Sequence, residues 1–524
     1  ENPGVSRWLI ALSGALTLVY LGWWLDFRHL GAWFLYVPLF IGELYHVWQS
    51  FGYLHTIWEQ KKIPEIRPKF FPMVDIFITV CGEPLDVVTR TLEGALGIDY
   101  PNFKVHILND GLVARKKNWE EIADLSKRYP INVITRTTPG GAKAGNVNHA
   151  LRVTNAPLFA LFDADHVPLP QFLNKTVGYL EADPKMAFVQ TPQYYANKDR
   201  NFLTQAAWEQ QELFFGPICQ GKNRHNATFW CGTNAVIRRA AVEDIGGVPE
   251  DNIAEDFMAS LLMHERGWNS LFVPEVLSHG LAPTDLKSYY DQQFRWSRGS
   301  QEVLFKFNPL FRRGLTFAQK MQYLYSAGYY LNGFIVAIDA IIPLIVLSTG
   351  ILPVVDTTSN YSIFFLPFII LTLYILMRST RFTITFRAIQ LTMSSFFIFL
   401  TATISVILGT KNAFKVTSKV EQEGNYLIYA LPNILYIWLA VLVITLAVVR
   451  EGVTASVVTN SAWVVFNAVF LSSFIRVAYP WRRAWRNAVS KAREALWFRG
   501  VRGAQVVEEK ALVYEIRDDH KAST

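Results

Sequence analysis

Two acidic motifs in the middle of the chain carry residues suited to cation binding and proton transfer. Asp163 and Asp165 stand one residue apart, directly after the apolar run Leu158 to Phe162. Two carboxylates at this spacing can hold a hard divalent cation between the protein and a diphosphate. Asp256 starts an apparent helix further along, and a carboxylate in a closed cleft can act as a general base toward a hydroxyl. The alternatives are a simple turn for the first motif and, for the second, a helix N-terminus, where the dipole favours acidic residues.

Two further motifs offer positive charge for a phosphorylated ligand. The segment Gly140 to Asn146 places Lys143 among small residues, which permits close approach of the backbone to a phosphate. It lacks the complete Gly-x-x-x-x-Gly-Lys-Ser/Thr spacing, so the pattern alone is weak. The segment Gln292 to Trp296 pairs the permanent charge of Arg295 with a flat indole ring that suits a sugar. Beside a membrane the same pair is also typical of an interfacial anchor.

Short apolar runs predict the strands that position these motifs. The predicted strands are Val74–Val80, Phe103–Leu108, Ile131–Ile134 and Leu158–Phe162. Leu85 to Leu96, between the first two, has helical spacing. Strands that alternate with helices imply a mostly parallel sheet, and ligands in such sheets bind at the carboxyl ends of the strands. Because polar loops follow these strands, Glu83, Asp110 and Asp163 are expected to line one crevice.

The bulk composition separates this chain from ordinary soluble proteins. Hydrophobic residues make up 51% of the 524 residues and aromatic residues 14%, which indicates a chain that is partly embedded in a bilayer. The formal net charge of +7 fits anchoring at the cytoplasmic side better than nucleic-acid binding, because no basic run is interleaved with aromatic residues. The cysteines form no Cys-x-x-Cys pair, so neither a zinc site nor a disulfide framework is predicted.

Long apolar segments flank the polar middle and predict membrane-spanning helices. The predicted spans are Trp8–Trp24, Leu30–Trp48, Tyr329–Leu352, Tyr361–Met377, Tyr426–Val449 and Val453–Ile475. A signal peptide is the alternative for the first span, but it carries no cleavage-site pattern and a second span follows at once. Basic residues at the borders of the polar middle place that part in the cytosol. The segment 382–408 is ambiguous, because it is long enough to span yet contains Arg387, Gln390 and many hydroxyl residues.

Taken together, the motifs resemble those of processive family 2 glycosyltransferases of bacterial cellulose synthase type. They occur in the family's order, and the last one is similar to the gating loop of cellulose synthases. The matched motifs are Glu83-Pro84, Asp110-Gly111, Ala142-Lys143-Ala144-Gly145-Asn146, Phe162-Asp163-Ala164-Asp165-His166-Val167-Pro168, Gln190-Thr191-Pro192, Phe229-Trp230-Cys231-Gly232, Glu255-Asp256, Gln292-x-x-Arg295-Trp296 and Phe414-x-Val416-Thr417-x-Lys419. The resemblance implies a mostly parallel α/β domain of glycosyltransferase A type in the cytosol, joined to an all-α transmembrane bundle with interfacial helices.

The resemblance further implies a membrane enzyme that polymerises glucose from UDP-glucose and secretes the polymer through its own channel. The implied donor-binding residues are Glu83, Asp110, Lys143, Asp163, Arg295, Thr417 and Lys419. Among them, Lys143 and Arg295 would face the pyrophosphate. Asp165 would hold Mg²⁺ or Mn²⁺, and Asp256 would deprotonate the acceptor hydroxyl.

On the acceptor side, the resemblance places Trp296 under the terminal sugar at the mouth of the channel. Gln292, Cys231 and Gly232 would lie nearby and contact the nascent polysaccharide. A separate set would close over the nucleotide when the donor is bound. This gating set is Phe414, Val416, Thr417 and Lys419.

The gating motif decides how the ambiguous segment 382–408 is interpreted. The loop must be cytosolic to reach the active site, and an extra span at 382–408 would place it outside. We therefore expect an interfacial helix over 382–408 and six spans in all. The predicted domains are a transmembrane hairpin over 1–55, a cytosolic glycosyltransferase domain over 56–315, a transmembrane channel region over 316–480 with the gating loop at 410–424, and a cytosolic tail over 481–524. The expected location is the inner or plasma membrane.

Some features leave the polymer and its regulation open. Synthases of N-acetylglucosamine polymers, chitin- or hyaluronan-like, share Gln-Gln-x-Arg-Trp, whereas the gating motif favours glucan synthases. A non-enzymatic nucleotide-sugar sensor or a transporter is disfavoured because every acidic motif is retained. Cys81-Gly82, Trp230 and Ala254 replace residues common in cellulose synthases. The stretch after the last span is too short for a cyclic-di-GMP-binding barrel, so direct control by that ligand is not expected. The linkage, β-1,4 as in cellulose or β-1,3 as in curdlan, also stays open, as do accessory subunits.

Overall fold

A computed structural model describes residues 4–60, 62–410 and 426–478. The predicted gating residues Phe414, Val416, Thr417 and Lys419 lie outside the described residues, as does the predicted tail. The described part consists of an α/β domain built on two sheets and a set of long apolar helices.

The α/β domain contains a seven-stranded sheet in the order β3-β2-β1-β4-β8-β6-β9 and a three-stranded sheet in the order β5-β10-β7. The strands, numbered in chain order, are β1 (Val74–Val80), β2 (Phe103–Asn109), β3 (Asn132–Thr135), β4 (Leu158–Asp163), β5 (Val167–Pro168), β6 (Met186–Gln190), β7 (Tyr194–Tyr195), β8 (Ala235–Arg238), β9 (Asn269–Phe272) and β10 (Ser278–Gly280). In the larger sheet β8 runs antiparallel to both of its neighbours, and the other pairs are parallel. The four predicted strands are confirmed to within a residue at each end.

The central strands are largely apolar, as is typical of parallel sheets covered on both faces. Every residue of β1 is buried, and in β4 all residues except the last are buried. The helix predicted at Leu85 to Leu96 is confirmed with those bounds, and it packs Val88 and Leu92 into the core on one face of the sheet. Side chains on both faces therefore fix the register of the strands, and with it the position of the polar residues that follow them.

The described residues form α-helices on both flanks of the sheet and throughout the apolar segments. Numbered in chain order, they are α1 (Arg7–Trp24), α2 (Trp33–Ile57), α3 (Leu85–Leu96), α4 (Trp119–Ala123), α5 (Ala142–Val153), α6 (Phe172–Ala182), α7 (Phe202–Leu213), α8 (Cys219–Lys222), α9 (Arg239–Asp244), α10 (Glu255–Glu265), α11 (Leu286–Lys306), α12 (Phe317–Gly328), α13 (Asn332–Thr349), α14 (Thr358–Ser379), α15 (Phe386–Ser394), α16 (Phe396–Ile407), α17 (Leu431–Glu451), α18 (Ala455–Leu471) and α19 (Ser473–Ala478).

Several of these helices are long and apolar enough to cross a membrane. Among the described residues the helical segments that meet this description are Phe317–Thr349, Thr358–Ser379, Leu427–Glu451 and Ala455–Ala478. The bent pair α15 and α16 would be a fifth if it formed one span. Helices α1 and α2 form where the sequence predicts a hairpin and pack against α14 and α13, but they are not among these segments. Polar residues such as Glu43 and His46 lower the hydropathy of α2, and six spans stay a prediction.

The segment 382–408 differs from the single helix that the sequence predicts. It begins with non-helical backbone, because Phe382 has a φ of 60°, and helix α15 starts only at Phe386. Ser395 then separates α15 from α16, and the two axes meet at 40°. The Ser395 hydroxyl donates to the Leu391 carbonyl over 2.7 Å, a local bond of the kind that competes with regular helix geometry.

Close packing joins helix α2 to helix α12, the first part of the long apolar segment Phe317–Thr349. A Cβ atom at Gly52 of α2 would stand 2.5 Å from the Tyr325 ring of α12. The Thr56 hydroxyl of α2 and the Gln322 side chain of α12 are hydrogen-bonded over 2.9 Å. Helix α2 and helix α12 therefore lie in direct contact.

Candidate active site

The carboxyl ends of β1, β2 and β4 place three predicted acidic residues beside one another. β1 lies between β2 and β4 in the sheet, with Val80 opposite Asn109 and Thr79 opposite Asp163. After β1, the carboxylate of Glu83 accepts a hydrogen bond from the Cys81 amide over 2.5 Å. The crevice that the sequence predicts at this edge of the sheet is present in the structure.

Asp110, at the end of β2, is held by an arginine that the sequence analysis did not single out. Arg136 follows β3 and donates to Asp110 Oδ1 over 2.9 Å and to Oδ2 over 2.7 Å. Both residues are only 6% exposed. Burial raises the pKa of Asp110, and the hydrogen bonds and charge of Arg136 oppose that rise.

The loop before α5 brings Lys143 to the next strand end. Gly140, Gly141 and Ala142 have φ values of 130°, 63° and 43°, so the chain turns sharply and starts the helix close to the sheet. Lys143 Nζ donates to Asp163 Oδ1 and, over 2.7 Å, to the carbonyl of Gly232. Burial would lower the pKa of Lys143, but the charges of Asp163 and other nearby carboxylates outweigh it and raise that pKa. Lys143 is therefore a fixed cation at the centre of the crevice.

Asp163, Asp165 and His166 form a group that fits a divalent cation. One ligand atom from each lies within 4.8 Å of the other two. Asp165 and His166 are 3% and 4% exposed, and both ring nitrogens of His166 are buried without a hydrogen-bond partner in the described residues. Carboxylates suit Mg²⁺ and Mn²⁺, and an imidazole adds a ligand that transition metals accept more readily than Mg²⁺.

Asp256, the predicted base, is the second residue of α10. The Phe257 amide donates to its Oδ1 over 2.7 Å, while its Oδ2 lies toward Gly232, where a Cβ atom would approach to 2.9 Å. Burial and the adjacent charge of Glu255 raise the pKa of Asp256. A carboxylate with a raised pKa is a stronger proton acceptor, as general base catalysis at neutral pH requires.

The predicted acceptor residues come from α11 and from the loop before β8. Gln292, Arg295 and Trp296 recur at the spacing of one helix face, and Asp285 caps the start of α11 by accepting from the Ser288 amide over 2.9 Å. Gln292 and the buried Tyr195 both line the cavity described below. In the loop, the Cys231 amide donates to the side chain of Gln190, the last residue of β6, over 2.8 Å.

One cavity of about 1130 Å³ connects these groups. The predicted site residues that line it are Glu83, Asp110, Lys143, Asp163, Asp165, Cys231, Gly232, Asp256, Gln292, Arg295 and Trp296. The cavity continues along α2 at Gln49 and Tyr53, and it reaches Tyr330 and Asn332 at the start of α13. The arrangement can accommodate an elongated ligand that extends from the sheet toward the apolar helices. The individual roles of these residues stay predictions.

Two residues in this cavity, Arg136 and His166, were not among the predicted site residues. Arg136 follows β3 just as Asp110 follows β2. The rule that ligands bind at the carboxyl ends of parallel strands could therefore have indicated Arg136 as a site residue. His166 follows the predicted metal ligand Asp165 directly and belongs to the matched motif. The feature that turns His166 toward the carboxylates comes from β10, where Gly280 leaves room for the imidazole, and the local sequence does not reveal this contact.

Comparison with known proteins gives two overlapping family matches. Residues 72–299 match the family "Glycosyltransferase like family 2", and residues 243–486 match the family "Cellulose synthase". A cellulose synthase catalytic subunit [UDP-forming] of Pseudomonas fluorescens is 36% identical over 292 residues, 54% of this chain and 39% of that protein. The corresponding protein of Komagataeibacter sucrofermentans is 32% identical over 453 residues, 82% of this chain and 59% of that protein. The chain thus spans between about two fifths and three fifths of these two relatives.

The solved structure of a mannosyltransferase from Pyrobaculum calidifontis with GDP-Man and Mn²⁺ is also similar. It covers 77% of this chain and all of that protein, with 17% identity and a TM-score of 0.48. The sequence matches are the more informative, because together they run from the first strand of the sheet to beyond the last described helix. The chain thus resembles family 2 glycosyltransferases and cellulose synthases across residues 72–486, in agreement with its motifs.

Proposed function

We propose that this chain is a membrane-embedded, processive, inverting β-glucan synthase. It takes glucose from UDP-glucose, adds it to a nascent polysaccharide and secretes the polymer through its own membrane bundle. The α/β domain faces the cytosol, where UDP-glucose is available, and the protein resides in the inner or plasma membrane. The relatives named cellulose synthase catalytic subunit favour a β-1,4 product, and β-1,3 curdlan is the alternative linkage.

The observation that supports this proposal most directly is the continuity of the cavity. Asp163, Asp165, Asp256 and Trp296 line the same cavity, and residues of α2 and of the start of α13 line it as well. A donor held by Asp163 and Asp165 would therefore present its sugar to Asp256, and the growing chain would leave toward the membrane. An enzyme that released a short product into the cytosol would have no need for a path bordered by α2 and α13.

In the proposed reaction Asp256 is the general base. The terminal hydroxyl of the acceptor gives its proton to the Asp256 carboxylate and attacks the anomeric carbon of the donor. The bond from that carbon to the diphosphate oxygen breaks, and UDP leaves with the electron pair, which inverts the anomeric configuration. The raised pKa of Asp256 matches this role, because it makes the carboxylate a better proton acceptor.

Fixed positive charge stabilises the departing diphosphate. Lys143 lies between Asp163 and the Gly232 carbonyl, and Arg295 projects into the same cavity from α11. Such preorganised charges act where negative charge develops during the reaction. Asp165 together with Asp163 and His166 would hold Mg²⁺ or Mn²⁺, which when bound neutralises charge on the diphosphate oxygens.

The acceptor end of the cavity orients the polymer. Trp296 offers an aromatic face for the terminal sugar, and Gln292, Cys231 and Gly232 border the same space. Thr417 and Lys419, with Phe414 and Val416, would close over the bound nucleotide and exclude water, which competes with the acceptor as a nucleophile.

Donor feeding tests the proposal. Purified protein is supplied with radiolabelled UDP-glucose or UDP-N-acetylglucosamine, and the polymer is digested with glucanases specific for β-1,4 or β-1,3 linkages. We expect incorporation from UDP-glucose. Incorporation from UDP-N-acetylglucosamine alone would instead support the chitin- or hyaluronan-like hypothesis, which the Gln292 to Trp296 motif allows. Full polymer synthesis by D256N would overturn the role of Asp256, and wild-type protein that makes no polymer from either donor would support a nucleotide-sugar sensor.

A further inference from the structure

A groove of about 350 Å³ lies between α1 and α2 and shares no lining residue with the catalytic cavity. Ile10 and Gly14 of α1 line it, together with Phe51 and Leu54 of α2. Arg224, which comes from the α/β domain, also lines the groove. A permanent positive charge therefore lies among mostly apolar side chains.

The guanidinium of Arg224 has hydrogen-bonding capacity that the described residues leave unused. Its Nη1 is buried and has no hydrogen-bond partner among them. Glu59, the acidic residue just after α2, pairs with Arg7 at 3.2 Å. Because a buried donor on a charged group costs free energy when it has no partner, an anionic oxygen placed beside Arg224 would be stabilising.

The short turn that carries Arg224 is fixed against the sheet and against α2. Asn223 accepts from the Phe272 amide of β9 and donates to the Phe272 carbonyl, each over 2.8 Å. The ring of His225 lies 4.6 Å from the ring of His55 in α2, measured between centroids. The residues on both sides of Arg224 thus hold it at the groove, so that a ligand would bind with little reordering of this turn.

The groove lies at the end of the α1–α2 hairpin that the sequence places on the cytosolic side. The ion pair of Arg7 with Glu59 shows that the start of α1 is adjacent to the end of α2. Trp8 is 65% exposed at this end, and Trp58 lines the groove. Tryptophan is enriched where headgroups meet acyl chains. In the proposed bilayer arrangement, the groove therefore lies at the depth of phospholipid phosphates.

We propose that this groove binds an anionic phospholipid. The headgroup phosphate pairs with the guanidinium of Arg224, whose planar fork matches phosphate oxygens, and the upper part of an acyl chain packs against the apolar lining. Basic pockets between membrane helices on the cytoplasmic side suit such headgroups. The bound lipid would connect the α/β domain to the hairpin, because Arg224 belongs to the first and the apolar lining to the second.

This inference goes beyond the proposed function. It requires the hairpin to lie in a bilayer, but it does not depend on which polymer the protein makes.

Lipid binding by the full chain in detergent, measured by native mass spectrometry, tests the inference. The probes are phosphatidylglycerol, which carries a net negative charge, and phosphatidylcholine with the same acyl chains, which carries none. We expect the wild type to bind phosphatidylglycerol roughly tenfold more tightly, and R224M should lose roughly that factor, the value of a hydrogen bond involving a charged group. R224K, which keeps the charge without the planar fork, should lie between the two.

Arg378 supplies the matched control for charge. It is a basic residue in the last turn of α14 and does not line the groove. R378M should therefore keep the wild-type preference for phosphatidylglycerol. A loss in R378M equal to that in R224M would overturn the inference, since it would show general attraction to basic residues at the membrane surface.

Two glycines of α1 test the apolar part of the site. A Cβ atom at Gly14 would lie 3.6 Å from the Phe51 ring, whereas nothing lies within 4 Å of one at Gly22. G14L should fill the groove and weaken the binding of both lipids, and G22L should weaken neither. Equal binding by these two variants would overturn the inference.

Thermal unfolding in detergent selects the variants that remain folded for these comparisons. A folded R224M that binds phosphatidylglycerol as tightly as the wild type would overturn the inference, and so would a wild type with equal affinity for the two lipids. Polymer synthesis is measured separately. Wild-type protein that binds phosphatidylglycerol through Arg224 but makes no polymer would overturn the proposed function alone.

Discussion

Gly232 lies so close to Asp256 that a Cβ atom at position 232 would stand 2.9 Å from the Asp256 Oδ2. Gly232 also has a φ of 78°, in the left-handed region, where a side chain costs about 1–2 kcal/mol. We predict that G232A lowers the rate of polymer synthesis about a hundredfold, because a shift of about one ångström in a catalytic group has effects of that size. Release of UDP from UDP-glucose by the purified variant measures the loss.

A second glycine separates displacement of Asp256 from backbone strain. Gly246 has a φ of 85°, and nothing lies within 4 Å of a Cβ atom built there. G246A should therefore carry similar strain and lower the melting temperature by a similar amount, while UDP release stays near the wild-type rate. Equal losses of rate in the two variants would show that strain, and not the contact with Asp256, is responsible.

The acidic group at the end of β4 leads to a prediction about metal binding. Because His166 brings an imidazole to the ligand atoms of Asp163 and Asp165, H166Q should weaken Mn²⁺ binding roughly tenfold and Mg²⁺ binding less, since Mg²⁺ prefers oxygen ligands. The electron paramagnetic resonance signal of free Mn²⁺, recorded during titration with and without UDP, measures the affinity directly. Chelation with EDTA should abolish polymer synthesis.

Two further variants serve as controls for that measurement. D165N should weaken both cations, because it removes a carboxylate ligand that each of them uses. H279Q changes a nearby histidine of β10 that is outside the metal-binding group, and it should leave both affinities unchanged. If H166Q bound Mn²⁺ as tightly as the wild type while remaining folded, His166 would not be a ligand.

The features that the sequence predicts correctly depend on local patterns. The runs Val74–Val80 and Leu158–Asp163 are almost wholly buried, so a mostly apolar stretch is a sufficient signal for each strand. The polar residues after them then gather at one edge because parallel strands share a direction. The co-location of Asp110, Asp163 and Asp165 in one cavity follows from this rule together with the order of the strands.

The features that the sequence does not reveal depend on contacts between distant segments. The pairing of Arg136 with Asp110 requires β3 to lie beside β2, which no pattern within either strand specifies. The break at Ser395 has no glycine or proline to mark it. Strand β8 lies antiparallel between β4 and β6, although it follows β6 in the chain. A regular alternation of strands and helices does not predict a later strand at this position.

The buried carboxylate of Asp75 in β1 leads to a prediction about stability. Asp75 accepts from His106 over 2.9 Å and from the Ala156 amide over 3.2 Å, and it pairs with Arg239 at 3.6 Å. D75A should destabilise the fold by about 3–5 kcal/mol, since it leaves buried partners without their charge. Thermal unfolding of wild type and variant in detergent measures the difference. D86N, which alters an exposed pair with Arg90, should change little.

The stability that Asp75 contributes should depend on pH. Burial alone would raise the pKa of Asp75, but His106, the Ala156 amide and Arg239 outweigh it and lower that pKa. The unfolded chain therefore binds this proton more tightly than the folded protein does. The contribution is present above the ordinary pKa of an aspartate and disappears as the pH falls through the folded value. A gap between wild type and D75A that stayed constant into acid would contradict this account.

Glu255 and Asp256 together predict the pH dependence of the reaction. Burial, followed by the charge of Glu255, raises the pKa of Asp256, and the base works only when it is ionised. The rate of UDP release should therefore increase as the pH rises through this raised pKa. E255Q removes the neighbouring charge and should move the acid limb of the profile to lower pH, whereas D256N should lose about a hundredfold to ten-thousandfold in rate at every pH.

Profiles of kcat and kcat/KM against pH, recorded only where the protein remains folded, compare the wild type with these two variants. If the limb did not move in E255Q although D256N was inactive, the titrating group would have to be another residue, since removal of a like charge beside a buried carboxylate must favour its ionised form.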